Sequence, residues 1–366
     1  MMTQSSTPHK KLKLLQVYRG IAAVLVVMFH LNEISTGILN QVTFFNLFQG
    51  GWSGVDYFFV LSGFIMVYVH RSAIGKKDQL KSFLVKRALR IYPIYWIITL
   101  TLLCFFIVIP GFANNNQDLG LGYVIGSLLL IPQNERPILE VGWTLIYELY
   151  FYFLFSIAIW LKPKHSVPIL STWLFVTILH FWKIVTFPKS FVWLALVFGG
   201  MNLEFVLGCM AGYIVIKYNN KIGKYRWILF GIANLGYVIL GMLVAWRNMD
   251  FERITTFAVL AAMLIIAATS INLKDSPKIP DILIFLGDAS YSIFLTHVPL
   301  MLAMTKILQK ANLGKYFDGF FAPALLAVFA VVFGCIFYSW IEKPLTVFLR
   351  QNIVEKMFPP KAEGRI

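Results

Sequence analysis

The sequence predicts an all-α fold, a polytopic membrane helix bundle of about ten transmembrane helices with a short re-entrant or interfacial segment at 121–131. Three observations carry that expectation. Of the 366 residues 58% are hydrophobic and only 13% charged, against roughly 25% charged in soluble domains. The apolar residues fall in runs near the ~20 residues a membrane crossing needs. The 32 Lys and Arg, against 17 Asp and Glu, lie mostly in the gaps between those runs, as the positive-inside rule expects. The net charge of +15 therefore reports membrane sidedness and argues against a nucleic-acid partner. The longest polar stretches, 70–90 and 342–366, span only 21 and 25 residues, too short to build a core of their own. One membrane domain over 14–341 is expected, between cytoplasmic tails at 1–13 and 342–366.

Taken in order, the first run, 14–31, follows Lys10, Lys11 and Lys13 and superficially mimics a signal peptide. No small-x-small cleavage pattern follows, and Arg19 and His30 interrupt its apolar core, so it reads as a retained span. The basic stretch 70–90 separates the second run, 53–69, from the third, 91–109. Segment 121–131 is apolar but only 11 residues long, short of the ~17 needed to cross. Beyond it come 143–160, 167–182, 201–216, 227–246, 254–271, 283–308 and 320–341, of which 227–246 and 320–341 carry no charge at all. If 121–131 stays on one side and the N-terminus is cytoplasmic, 24 of the 32 Lys and Arg lie inside and 8 outside; if it crosses, the division is 19 to 13. The first arrangement fits better and places both termini in the cytoplasm. Cys104, Cys209 and Cys335 sit far apart in apolar segments and read as small buried hydrophobes. The histidines show no metal-ligand spacing, so no metal is expected.

Ionisable groups inside the bilayer cost at least ~2.5 kcal/mol near its centre, which makes each a functional candidate. They are Arg19, His30, Asp56, Glu148, Glu204, Asp288 and His297; each alone is equally well read as polar glue between helices. Arg19 and His30 are eleven residues apart, three turns plus ~20°, and so share one face of the first helix at an axial distance of ~16 Å. Counting turns from the outer interface brings His30, Asp56 and Glu148 to similar depths on three helices. An imidazole beside a carboxylate makes an oriented general base; a buried ion pair would give the same proximity without an accessible cleft. Arg87 and Arg90, at i and i+3, share a face suited to phosphate, although composition alone favours plain anchors for lipid headgroups.

Together these residues resemble membrane-bound acyltransferase family 3, bacterial enzymes that O-acylate surface glycans. The resemblance runs in order through Arg19 and His30, the stretch from Gly54 to Phe64 with Asp56 and Ser62, Arg87 and Arg90 with Tyr92-Pro93, and Trp143-Thr144-Leu145 with Glu148 and Tyr152. It continues through the stretch from Gly287 to His297 and ends at Ile341-Glu342-Lys343-Pro344. It implies a multi-pass protein of the bacterial cytoplasmic membrane that moves an acyl group, expected to be acetyl, from acyl-CoA (acetyl-CoA) as co-substrate to a glycan hydroxyl, with no permanently bound cofactor. His30 becomes the base, Arg19 a donor-binding residue, and Arg87 and Arg90 candidates for the phosphates of CoA. Longer members append an extracytoplasmic esterase-like domain. Here only about 25 residues follow the last span, so the acceptor is expected to come to the membrane as a surface or lipid-linked glycan.

On this reading the pantetheine arm lies along the first helix toward His30, and Glu148 or Asp56 stabilises the imidazolium. Ser62, Ser290 and Tyr291 are candidate oxyanion donors, with helix packing and interior hydrogen bonding as their alternatives. His297 either lines the donor tunnel or is a structural histidine, and direct transfer and an acyl-enzyme both stay open. A proton-coupled transporter using His30, Asp56 and Glu148 as a relay is the rival reading; a non-catalytic scaffold would not explain polar residues gathered at two depths.

Overall fold

The computed structural model describes residues 12–109, 119–188, 190–247, 254–275, 277–317 and 320–359, among which there is no strand. Fifteen α-helices follow one another: α1 (Lys13–Leu39), α2 (Ser53–His70), α3 (Leu80–Val108), α4 (Leu121–Leu129), α5 (Trp143–Trp160), α6 (Pro163–Phe181), α7 (Val192–Val197) and α8 (Met201–Ile222), then α9 (Arg226–Arg247), α10 (Val259–Lys274), α11 (Asp281–Asp288), α12 (Ser290–Lys310), α13 (Phe321–Phe337), α14 (Lys343–Leu349) and α15 (Glu355–Met357). Lys10 and Lys11, with most of the expected N-terminal tail, lie outside the described residues.

Nine helical stretches among the described residues are long and apolar enough to cross a membrane. The expected span at 167–182 falls in α6, whose 19 residues reach ~28 Å at 1.5 Å each. Lys164, His165, Ser166, Ser171 and Thr172 dilute its hydropathy, and it is not one of the nine. The nine-residue α4 extends only ~13 Å and cannot cross. Its last carbonyls, which have no partner within the helix, accept hydrogen bonds from α3: Tyr95 Oη to Ser127 at 2.6 Å, Trp96 Nε1 to Leu128 at 2.8 Å and Tyr92 Oη to Leu129 at 3.0 Å. The expected helix at 283–308 is divided. It stops at Asp288 and restarts at Ser290, so α12 begins inside the bundle. Beyond Phe337 the chain stays helical, through two π-helical turns, to Met357. The tail expected from residue 342 onward therefore begins as a continuation of the last span. Cys104 is exposed on the outside of α3, unlike the expected buried hydrophobe; Cys209 and Cys335 are partly buried.

Helix α1 is central, packing on α2, α10, α11, α12 and α13. Glycines let backbones meet where helices press hardest, the usual device in lipid, where burying apolar surface gives no net drive. A Cβ on Gly63 of α2 would fall 2.0 Å from the Phe205 carbonyl oxygen, and one on Gly208 of α8 would fall 1.9 Å from that of Val60. Beside this reciprocal contact the Phe151 and Phe205 rings stack at 4.4 Å. The outward faces of α9 and α13 expose Ile228, Leu235, Trp246, Leu325, Val328 and Val332, the surface a bilayer would cover.

Because the clash at position 208 is with backbone, no side-chain rotation relieves it. Overpacking typically costs about 1–3 kcal/mol. Gly208→Val is expected to lower the thermal unfolding midpoint of the detergent-solubilised protein by several degrees, followed by fluorescence-detected size exclusion. An unchanged midpoint would refute the close α2–α8 contact.

Candidate active site

Each helix that enters the polar interior does so with one stripe. On α2, Val55, Phe58, Phe59 and Ser62 follow i, i+3, i+4, i+7 and point to one side. On α12, Ser290, Phe294, Val298, Leu302 and Lys306 repeat every four residues and run most of its length. On α1 the stripe is Arg19, Val26, His30, Glu33 and Gly37. Between these stripes lie three cavities, and a fourth, between α3 and the C-terminal helical run, extends the row.

At one end, a groove of about 520 Å³ is lined by Lys86 and Arg90 of α3 with Thr346, Arg350 and Glu355 of the C-terminal helical run. Arg90 also faces the second cavity, a chamber of only about 70 Å³ shared with Arg19, Ser62, Glu148, Ser290 and Tyr291. Val55, Thr144 and Phe294 line both this chamber and the third cavity, a vestibule of about 460 Å³ that holds His30, Glu33, Arg136 and Glu140. Arg136, Glu140 and Val298 in turn join the vestibule to an outer groove of about 500 Å³ bearing Glu135, Lys306 and Gln309. Consecutive cavities thus share residues from one end of α12 to the other. A separate apolar cleft of about 360 Å³ between α1 and α9 contains none of these ionisable groups.

The chamber is the most elaborate part. Glu148 Oε1 accepts a short hydrogen bond from the Tyr152 hydroxyl and a long one, 3.5 Å, from Ser62 Oγ. Arg19 Nη1 donates to Gln16 Oε1 at 2.8 Å, and its charge is within electrostatic range of Arg90, Glu342 and Asp288. Glu342 accepts from Ser292 Oγ at 2.5 Å. Arg90 is likewise within range of Glu148 and Glu342, so each arginine has carboxylates to face where lipid solvates no charge. Ser290 Oγ is buried and makes no hydrogen bond among the described residues.

His30 occupies the vestibule wall, half-buried. Its ring lies 5.1 Å from that of Phe29 and 5.2 Å from that of His297. The charges beside it are Glu140 and Arg136, an exposed i,i+4 ion pair, of a kind that contributes ~0–1 kcal/mol and so opens readily to an incoming ligand.

The expected site residues are distributed as follows. Arg19, Arg90, Ser62, Glu148, Ser290 and Tyr291 come together in the chamber, and His30 faces the next cavity. Asp56 does not join it. One residue along from Val55, it falls ~100° around α2, is fully buried, lines neither cavity, and lies with Glu204 within electrostatic range of Tyr237 on α9. Glu148 lines the chamber and not the vestibule, so the expected imidazole–carboxylate cluster is divided between cavities. Arg87 also leaves its i+3 neighbour. Its guanidinium packs over Tyr152 and Phe83, at 5.2 and 5.6 Å, donates to His70 Nε2, and lines neither the groove nor the chamber. The Tyr291 hydroxyl is 2.9 Å from the Ile91 carbonyl and donates to it, which takes its proton away from the oxyanion role. His297 is buried beside His30.

Sequence reading missed Arg136 and Glu140, because an ion pair outside the spans looks like ordinary loop charges, and Lys306, which lies near the end of the expected span 283–308. It also missed Glu342, although the motif that contains it was noted.

The family model described as an acyltransferase domain matches residues 13–341. "Exopolysaccharide production protein ExoZ" of Rhizobium meliloti (strain 1021) is 30% identical over 311 residues, covering 81% of this chain and 90% of that protein. "Putative acetyltransferase ORF330" of Acidianus two-tailed virus is 25% identical over 284 residues, 76% of this chain and 80% of the viral one. No solved structure matches.

In a background with Cys104, Cys209 and Cys335 changed to Ala, His30→Cys is expected to react with a water-soluble maleimide on the order of tenfold faster than Asp56→Cys, access being what limits a buried thiol. Equal rates would contradict the placement of these two residues.

Proposed function

Because the chain belongs to acyltransferase family 3, we propose that it is a membrane O-acyltransferase that carries an acyl group, expected to be acetyl, from acyl-CoA to a hydroxyl of a surface or lipid-linked glycan. The observation that carries this reading is the row of cavities. A cationic groove and an acid–imidazole vestibule sit at opposite ends of one narrow chamber, an arrangement suited to a donor and an acceptor that arrive from opposite sides of a bilayer. The name of the exopolysaccharide-production relative supports a polysaccharide acceptor, and that of the viral relative supports acetyl transfer.

In this account the groove bearing Lys86, Arg90 and Arg350 opens to the cytoplasm and takes the phosphates of CoA. The pantetheine arm threads the chamber past Arg19 and Ser290, and the thioester emerges beside His30 in an extracytoplasmic vestibule. The acceptor lies in the outer groove against Glu135, Arg136 and Lys306. One nitrogen of His30 removes the hydroxyl proton as the oxygen attacks the thioester carbonyl. The new C–O ester bond forms, the C–S bond breaks, and the CoA thiolate recovers the proton from the imidazolium. The products are the glycan ester and free CoA. With the 19-residue α6 counted as a tenth crossing, both termini are cytoplasmic, and the membrane is the bacterial cytoplasmic one, where acyl-CoA is at hand.

The test is transfer from acetyl-CoA by purified protein, read as thiol release and as ester in surface polysaccharide taken from a deletion strain. His30→Ala is expected to lower kcat about 100-fold or more with expression intact. Arg90→Ala is expected to raise KM for acetyl-CoA about tenfold, the worth of one charge-assisted contact. Full activity of His30→Ala would overturn the assignment of the base. Solute movement by proteoliposomes without thioester consumption would favour a transporter.

A further inference from the structure

His297 is a buried imidazole that the transfer steps above do not use. It lies on α12 behind His30, fully buried and absent from the vestibule wall, with ring centres 5.2 Å apart. Phe294 packs on it at 5.7 Å, and Phe29 packs on His30 at 5.1 Å. Aromatic rings thus pack on both imidazoles.

The proton on His297 is located by its partner. Nδ1 lies 3.1 Å from the Ile293 carbonyl oxygen; a carbonyl only accepts, so Nδ1 carries the hydrogen and Nε2 presents a lone pair. That Nε2 is buried and makes no hydrogen bond among the described residues, a condition that ordinarily costs ~1–3 kcal/mol. An in-line N–H···N bond between two imidazoles places their ring centres roughly 5 Å apart. The observed separation is therefore right, and a reorientation of the half-buried His30 ring is enough to make the bond.

We propose that His297 is a positioning residue for His30: its Nε2 accepts the N–H of His30 and so fixes the tautomer whose other nitrogen faces the vestibule as the base. The inference rests on the reading of His30 as base given above. It supplies the orienting partner expected from Asp56 or Glu148, neither of which lines the vestibule. When His30 takes the acceptor proton, its other N–H stays aimed at the same lone pair. A neutral partner orients the base without burying a second charge in the hydrocarbon, where unpaired charge is costly.

Two variants of similar polarity separate this role from packing. In His297→Gln the amide oxygen reaches the place of Nε2, whereas in His297→Asn it reaches only that of Nδ1; His297→Phe keeps the ring volume and loses both. With full-length protein in nanodiscs, acetyl-CoA as donor and deletion-strain polysaccharide as acceptor, the Asn and Phe variants are expected to lower kcat about tenfold to a hundredfold. Their KM for acetyl-CoA should change by less than about twofold, and the Gln variant should recover most of the lost kcat. The proposal is overturned if His297→Asn keeps roughly half of kcat or more, or if Gln is no better than Asn. His30→Gln is run beside them. If it retains transfer, the base reading itself fails; if it is inactive while His297→Asn is unaffected, only the positioning role fails.

Discussion

The absence of water in the hydrocarbon governs this molecule. A polar side chain at that depth must find a protein partner or line a cavity that excludes lipid, and the chain uses both solutions. Asp56 and Glu204 are enclosed among α2, α8 and α9 and belong to the packing. Arg19, Arg90, Glu148 and His30 instead line cavities, and those cavities stand in a row. The close glycine contacts follow from the same constraint. At Gly54 the backbone of α2 abuts that of α1, and at Gly63 it abuts that of α8.

Helix α1 was the most legible element. Three turns plus ~20° between Arg19 and His30 require a common face, and that face lines the chamber, the vestibule and the outer groove in turn. The short α4 was equally legible, since the 11 apolar residues of 121–131 are too few to cross and the charge balance agrees. Asp56 shows where depth alone fails. Matching depths do not place side chains on matching faces, and the ~100° step from Val55 to Asp56 was available in the sequence once Ser62 was taken to mark the inward face. The partner of His30 was not legible. Whether a residue of α12 meets one of α1 depends on how the helices are rotated against each other, and the break at Ala289 that sets α12 is a tertiary feature. α6 marks the opposite difficulty, a helix of spanning length whose polar residues blur its signal.

The row is also unequal in shape. Its ends are wide and its chamber narrow, with Val55, Thr144 and Phe294 on the wall that chamber and vestibule share. In the proposed transfer that asymmetry has a use: a narrow chamber would admit a slim pantetheine arm and exclude a glycan, so that donor and acceptor would be sorted by width before any chemistry occurs. On the same proposal it would keep water away from the thioester except where the acceptor enters, favouring transfer over hydrolysis.

The central claim is a single path that carries the thioester from the Arg90 groove to His30. A cryo-electron microscopy structure in nanodiscs with a non-hydrolysable acetyl-CoA analogue tests it most directly. The account predicts the phosphates against Lys86, Arg90 and Arg350, the arm inside the chamber, and the acyl carbonyl beside His30. An analogue bound wholly at one end, with the chamber closed and its sulfur remote from His30, would contradict it.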